Sequence, residues 1–224
     1  MRLGPARDIV VKDLRLELRR VESLGTMAVF GVLVVVIFVF AGDPGPADLA
    51  RLGPGALWVA FLFAGALGFG RWFAQEERNA ALQGMLLTPV DRGTLFLGKW
   101  AGATLFLLGL EAVLVPVAIL LYRLDAHGAW AEMALLFVVV AAGYAALGTF
   151  FAAVAARTTA GELLLPVLLF PLSVPLLLAG AEGGQVLFEG GSRAAYWDWL
   201  ALALAFDVIF ITVCTIGFEY VIED

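Results

Sequence analysis

Acidic side chains inside apolar sequence are the first candidates for chemistry in this chain. Glu111 lies in an apolar run from Leu95–Tyr122, and Asp207 lies in the last such run. A carboxylate at the centre of a membrane span costs about 2.5–3.5 kcal/mol on insertion scales, so such a group should face protein or water. Glu111 is therefore a candidate for a gate or a substrate path. The alternative is a protonated or hydrogen-bonded contact between helices, with Tyr144 or Thr149 as the partner.

Other chemistry-bearing residues lack the spacing of a catalytic or metal site. The sequence has one histidine, His127, and one cysteine, Cys214, which excludes a Cys/His zinc site and a disulfide within the chain. It also lacks the glycine-rich Lys-Ser/Thr loop that binds nucleotide phosphates. Gly65–Gly70 has a similar glycine spacing without the lysine and the hydroxyl, which indicates helix packing. We expect no enzymatic activity, no metal and no directly bound cofactor.

Composition indicates a membrane protein. Of the 224 residues, 62% are hydrophobic and 15% are charged, whereas soluble domains are about 45–50% apolar and about 25% charged. A core of this size cannot hide that excess, so a lipid bilayer is the expected solvent. Nothing in the sequence indicates a nucleic-acid partner.

Six apolar runs approach the roughly 20 residues that cross a hydrocarbon layer of about 30 Å. They predict an all-α integral membrane fold with one permease domain over residues 1–224. Residues 1–23 would form a cytoplasmic interfacial helix, 24–218 a six-span bundle and 219–224 a cytoplasmic tail. A Gly-rich connector, Glu182–Trp197, is expected to form a small outer cap. The predicted spans are Leu24–Ala41, Leu52–Phe73, Leu95–Tyr122, Trp130–Ala156, Leu163–Ala181 and Asp198–Phe218.

Lys and Arg placement predicts the orientation of these spans. One set of alternating loops contains 11 of the 14 basic residues, and the other contains Arg51, Arg123 and Arg193. Because cytoplasmic loops carry the excess of Lys and Arg, both termini are expected in the cytoplasm of a bacterium, with the spans in its inner membrane. The six tryptophans lie mostly near the ends of runs, which is typical of interfacial anchors.

The longest polar interruption, Arg71–Lys99, separates the second and third runs. Gln75–Leu87 is rich in helix formers, and Thr88–Asp91 provides an N-cap, a proline at the first helical position and an acidic capping-box residue. This pattern predicts a short cytoplasmic coupling helix that transmits force from a soluble partner. The alternative is an ordinary solvated loop with a helical turn. The candidate docking residues are Glu76, Glu77, Arg78, Leu82, Met85, Leu86, Pro89 and Asp91.

Three prolines, Pro166, Pro171 and Pro175, interrupt the fifth run. Each removes a backbone donor and kinks a helix. In a transporter this favours a moving or pathway-lining helix, whereas in a static protein a kinked span only fills space. We group these prolines with Glu111 as candidate pathway residues.

The sequence resembles a known family in three of its segments. Phe73–Gly102, Phe106–Tyr122 and the proline-rich Leu163–Gly180 are similar to the haem exporter B (CcmB) family. The resemblance implies the membrane subunit of the ABC transporter for cytochrome c maturation, with an exporter fold of the ABC-2 type. It also implies a separate ATPase subunit, a second copy of this chain, a haem-handling membrane protein and a small single-span protein as partners. Haem would be bound through that complex, and ATP hydrolysis would release a haem-loaded chaperone.

Two other functions are compatible with the same pattern. A permease of this architecture could export a lipid or a drug. A static membrane scaffold could instead hold an assembly complex together without any transport path. The identity of the ATPase that copurifies and the fate of c-type cytochromes on deletion would separate the exporter from the proposed subunit. A hydrated central route lined by Glu111 or the Pro166–Pro175 helix would count against the scaffold.

Overall fold

The computed structural model describes residues 21–41, 45–78, 92–156, 158 and 161–221. Within these ranges every long element is an α-helix, and each helix contains an apolar window long enough to cross a membrane. The predicted all-α fold with six spans is confirmed. In chain order the helices are α1 (Val21–Ala41), α2 (Pro46–Arg78), α3 (Arg92–Tyr122), α4 (Trp130–Ala156), α5 (Gly161–Phe188) and α6 (Arg193–Val221).

The helix bounds follow the apolar runs closely at some ends and exceed them at others. The apolar window of α1 is Leu24–Ala41 and α4 is Trp130–Ala156, as the sequence predicts. By contrast, α2 begins well before Leu52 and continues beyond Phe73. Helical hydrogen bonding continues where the chain leaves the apolar layer, because polar residues with good helix propensity extend the same helix.

The predicted outer cap at Glu182–Trp197 is wrong. Helix α5 continues to Phe188 and α6 begins at Arg193, so only residues 189–192 connect the two helices. Gly183 is buried within α5 and faces side chains of α4 and α6. The absence of a side chain at Gly183 therefore allows close helix packing and does not mark a flexible loop.

Helix α4 lies at the centre of the bundle and α1 at its edge. Helix α4 packs against α2, α3, α5 and α6, whereas α1 packs only against α2 and α3 among the described helices. Accordingly, α2 and α4 bury 67% of their apolar windows and α1 buries 17%. Much of the apolar surface of α1 is therefore left uncovered by the described helices of this chain.

Glycines allow α2 and α4 to approach closely. Gly148 of α4 faces the ring of Phe69 in α2, and Gly65 of α2 faces the ring of Tyr144 in α4. Small residues at such contacts let membrane helices pack backbone to side chain at short range. The Gly65–Gly70 pattern is therefore helix packing, as the sequence indicates.

Gly148→Ala should destabilise the bundle. A Cβ atom at this position would overlap the buried ring of Phe69, and overpacking of this kind costs about 1–3 kcal/mol. That cost exceeds the gain of roughly 1 kcal/mol in helix propensity. The melting temperature of the purified protein in detergent measures the effect. Gly55→Ala is the matched control, because a Cβ atom there meets nothing within 4 Å; equal melting temperatures for the two variants would contradict the packing argument.

Three tyrosines connect helices by donating to backbone carbonyl groups of their neighbours. A helical carbonyl oxygen can accept a second hydrogen bond, so these bonds leave the helices intact. They join α3 to α1, α4 to α2 and α6 to α4. The bonds are Tyr122 Oη to Val35 O at 2.8 Å, Tyr144 Oη to Leu62 O at 2.6 Å and Tyr196 Oη to Glu132 O at 2.7 Å.

Tyr144→Phe should lower stability modestly. The variant loses the hydrogen bond to the Leu62 carbonyl, and such bonds between membrane helices contribute about 0.6 kcal/mol on average. The melting temperature in detergent should fall slightly, with no change in helix content by circular dichroism. Tyr220→Phe, at an exposed position of α6, should leave the melting temperature unchanged. A larger fall for Tyr220→Phe than for Tyr144→Phe would exclude this role of the hydroxyl group.

Trp58 does not anchor the protein at the membrane surface. It is buried in α2, where its ring lies 5.4 Å from that of Phe61 and 5.2 Å from that of Phe137 in α4. The predicted interfacial role is therefore wrong for this residue. Trp130 and Trp197 are about half exposed near the first turns of α4 and α6, as interfacial anchors are.

Candidate functional site

Two ion pairs lie at one end of the bundle. Arg51 of α2 lies 3.8 Å from Glu189, and Arg193 of α6 lies 3.4 Å from Glu132 of α4. The Arg51–Glu189 pair is exposed and contributes little to stability, whereas Glu132 is partly buried. Arg123 follows the end of α3 at this same end. The three basic residues of the smaller predicted set therefore share one end, and which side of the membrane that end faces stays a prediction.

The opposite end carries the junction between α2 and α3. Glu76, Glu77 and Arg78 form the last residues of α2, so residues 75–78 continue this helix rather than begin a separate one. Helix α3 begins at Arg92. The remaining predicted docking residues, and the predicted interfacial helix before Val21, lie outside the described residues. These docking residues are Leu82, Met85, Leu86, Pro89 and Asp91.

The first two turns of α3 are packed into the bundle. The rings of Phe96 and Phe218, on α3 and α6, have centroids 5.2 Å apart, and both side chains are fully buried. Arg92 Nη1 donates to the carbonyl oxygen of Glu219 at 3.2 Å. Lys99 is also buried, with 1% of its surface exposed. We call Arg92–Lys99 the α3 joint, because it couples the chain segment before it to α6.

A further hydrogen bond extends this joint to the central helix. Trp100 Nε1 donates to the carbonyl oxygen of Ala142 in α4 at 2.8 Å. The start of α3 is therefore in direct contact with both α6 and α4. The sequence could not reveal this bond, because the acceptor is a backbone atom that any residue type provides.

The two membrane acids are buried, and three of their four carboxyl oxygens have no hydrogen-bond partner among the described residues. Glu111 is 4% exposed and Asp207 is 6% exposed. Both carboxyl oxygens of Glu111 and Oδ1 of Asp207 have no partner in the described part of the chain. The predicted contact with Tyr144 or Thr149 is absent there, because the Tyr144 hydroxyl donates to the α2 backbone and Thr149 Oγ1 is itself unpaired.

Glu111 lies on the face of α3 that packs against α1 and α2. Leu107 and Leu114, one turn away on either side, share its face of α3. Leu107 approaches Gly65 of α2, and Leu114 approaches Gly31 of α1. The carboxyl group is thus enclosed between tightly packed helices rather than placed on the lipid-facing surface.

Asp207 occupies a space that a glycine provides. Its carboxyl group lies against Gly143 of α4, where a Cβ atom would overlap Oδ1. Leu176 of α5 approaches the same glycine from a second direction. A buried acid pressed against a neighbouring backbone in this way fixes the register between α6 and α4.

The candidate pathway residues do not come together. Pro166, Pro171 and Pro175 all lie in α5, whereas Glu111 lies in α3. These two helices make no contact in the described structure, because α2 and α4 each pack against both and stand between them. Between the last two prolines, the hydroxyl group of Ser173 donates to the α5 backbone. One path lined by all four predicted residues would need a different arrangement of helices.

Two further prolines lie inside α2 and α3. Pro54 lies in the third turn of α2, and Pro116 lies in the C-terminal half of α3. Each leaves a carbonyl group without its usual helical donor. Prolines inside helices are therefore distributed over three spans, so the prolines of α5 are not a unique signal for a moving helix.

His127 lies in the connection between α3 and α4. Its backbone N–H donates to Asp125 Oδ1 at 2.9 Å, and its ring lies near Gly190. Its positive φ of 48° fits a tight turn. Within the described ranges, no group of three or more His, Cys, Asp and Glu residues could hold a metal ion.

These helices and contacts define a polytopic helical membrane protein with a packed joint at one end and acids buried within its bundle. The chain belongs to the CcmB family, whose "CcmB protein" model matches residues 5–223. The resemblance carried by three segments of the sequence is thereby confirmed.

Similar proteins cover most of this chain. Heme exporter protein B of Rhodobacter capsulatus is 35% identical over 178 residues, which cover 79% of this chain and 80% of that protein. Heme exporter protein B of Bradyrhizobium diazoefficiens is 36% identical over 195 residues, with 81% and 82% covered. Heme exporter protein B of Haemophilus influenzae is 28% identical over 196 residues, with 87% and 86% covered.

Proposed function

We propose that this chain is the membrane subunit of an ABC transporter complex that acts in cytochrome c maturation, and that a separate ATPase drives it through residues 79–91. Membership of the CcmB family and relatives named heme exporter protein B support the subunit assignment. The observation that carries the coupling mechanism is the α3 joint, which directly follows this segment and is buried against α6. The name of the relatives, heme exporter protein B, indicates that haem is the cargo or the product of this cycle.

The mechanism is mechanical rather than catalytic. An ATPase that binds residues 76–91 pushes on the end of α2 and the start of α3 together. Because Phe96 packs on Phe218 and Trp100 bonds to the backbone of α4, the displacement reaches α6 and α4 without a flexible link. Tightly packed membrane helices shift as units rather than deform continuously.

The proposed complex contains two copies of this chain, the ATPase, a haem-handling membrane protein and a small single-span protein. Both termini and the coupling segment face the cytoplasm of the bacterial inner membrane. The end with the Arg51–Glu189 and Arg193–Glu132 ion pairs faces outward. This orientation keeps the larger set of basic residues inside.

Cysteine labelling tests the orientation and the docking together. Cys214 is buried in α6 and can be replaced by serine to give a cysteine-free background. In that background Gln83→Cys should react with a membrane-impermeant maleimide only from the cytoplasmic side, and Ser192→Cys only from the outside. A bifunctional reagent at residue 83 should then crosslink the ATPase. Labelling of residue 83 from the outside, or crosslinking of the ATPase only at residue 192, would refute the proposal.

A further inference from the structure

Glu111 is a buried ionisable group that the proposed coupling to an ATPase does not use. Neither of its carboxyl oxygens has a hydrogen-bond partner within the described ranges. Leu110 and Leu114, beside it on α3, are fully buried. An acid in this setting must either be neutral or be compensated by a ligand, because an unpaired buried charge is strongly unfavourable.

The helices around α3 bring no positive charge to this depth. By sequence, residues 24–41 of α1 and 52–70 of α2 contain no titratable side chain. Helix α4 provides Tyr144, whose hydroxyl group donates to Leu62 O. Helix α6 provides Asp207, which lies against Gly143, and the buried thiol of Cys214.

The charged and polar groups of α3 itself are also accounted for. Lys99 is twelve residues before Glu111, about 18 Å along a helix, which is too far for an ion pair. The hydroxyl group of Tyr122 donates to Val35 O in α1. Compensation by a cationic side chain therefore does not explain the burial of Glu111.

We propose that Glu111 is a proton-binding site inside the bundle. A proton is the one cationic ligand that requires no cavity, and the close approaches at Gly31 and Gly65 leave the neighbouring helices tightly packed. Binding forms one O–H bond at a carboxyl oxygen of Glu111 and leaves the group neutral. The proton comes from water and returns to water when that bond breaks, so no other reactant is needed.

The release step follows from movement of α3. When α3 separates from α1 and α2, water reaches Glu111 and its carboxyl group ionises, because hydration then stabilises the charge. This second step rests on the proposed function, since the ATPase is what moves α3. Proton binding in the packed state does not depend on that function.

Infrared spectroscopy of the full-length protein in lipid vesicles tests the first step. A neutral carboxyl group has a C=O stretching band that is separate from carboxylate and amide bands. We expect such a band near neutral pH, a shift of this band when glutamate is labelled with ¹³C at the side-chain carboxyl carbon, and its loss in Glu111→Gln. Asp207→Asn is the matched control, which should retain the glutamate band.

The outcomes separate the two steps. Absence of a glutamate-derived neutral band overturns the proposal, as does its persistence in Glu111→Gln. If Glu111→Gln fails to fold, the labelled band in Asp207→Asn alone decides whether a neutral glutamic acid exists. In the complex with the ATPase, a non-hydrolysable ATP analogue should diminish the band. An unchanged band there overturns the release step while leaving proton binding intact, and the crosslinking at residue 83 shows independently whether the ATPase docks.

Discussion

Leu86→Glu should nearly abolish cytochrome c assembly while the amount of this protein in the membrane stays the same. The sequence places Leu82, Met85 and Leu86 at helical spacing in the proposed docking segment, which predicts that they face one partner surface. A central contact residue of this kind contributes about 2 kcal/mol or more to binding, which corresponds to roughly 30-fold in affinity. A buried glutamate adds an unpaired charge to that loss. Haem staining of c-type cytochromes and the turnover of the captured ATPase measure the effect.

The control for this prediction is an acid at the opposite end of the bundle. Glu189→Gln removes one side of the exposed ion pair with Arg51, and such a surface pair contributes about 0–1 kcal/mol. It should therefore leave both cytochrome assembly and ATPase turnover at the wild-type level. If Leu86→Glu behaves like this control, residues 79–91 do not transmit force. The function as a static scaffold would then be favoured.

The six spans could be predicted because a bilayer makes the sequence signal strong. Every backbone group in hydrocarbon must be bonded within the helix, so an apolar run of sufficient length has one solution. Leu24–Ala41 and Trp130–Ala156 agree with the structure for this reason. Where a helix continues beyond the apolar layer, as α5 does through Phe188, hydropathy carries no information about its end.

The wrong prediction for Trp58 has the same cause, because hydropathy does not locate the start of a helix. Trp58 lies near the start of an apolar run, which favours an interfacial position when the helix is taken to begin at Leu52. Helix α2 in fact begins at Pro46. Trp58 is therefore twelve residues inside the helix, about 18 Å along its axis, and its ring packs between helices.

A single sequence contains no pattern that predicts the separation of Glu111 from the prolines of α5. Which helices become neighbours depends on how small and large side chains fit, such as Gly143 with Asp207 and Gly148 with Phe69. Residue types alone identify Glu111 as an unusual group but not the helices that enclose it. The α3 joint was likewise hidden, since Phe96 is only one of many phenylalanines in the sequence.

Replacing two buried aromatic residues by alanine should separate folding from force transmission. Trp58→Ala and Phe96→Ala each remove a buried ring, and such changes cost about 3–5 kcal/mol of stability. Both variants should therefore lower the melting temperature strongly and reduce the amount of folded protein in the membrane. The loss for Trp58→Ala is expected to be the larger, because its ring also packs against Phe61 and Phe137.

The two variants should differ once the amount of protein is equalised by expression. Trp58 packs among α2, α4 and α5 away from the α3 joint, so each folded Trp58→Ala molecule should support normal ATPase turnover and cytochrome assembly. Phe96 contacts Phe218 of α6, and the proposed coupling passes through this contact. Each folded Phe96→Ala molecule should bind the ATPase yet assemble cytochrome c several-fold more slowly. In Phe96→Ala, Phe218 loses its ring contact with α3. Equal activity per folded molecule for both variants would therefore mean that the proposed force reaches α6 by another route.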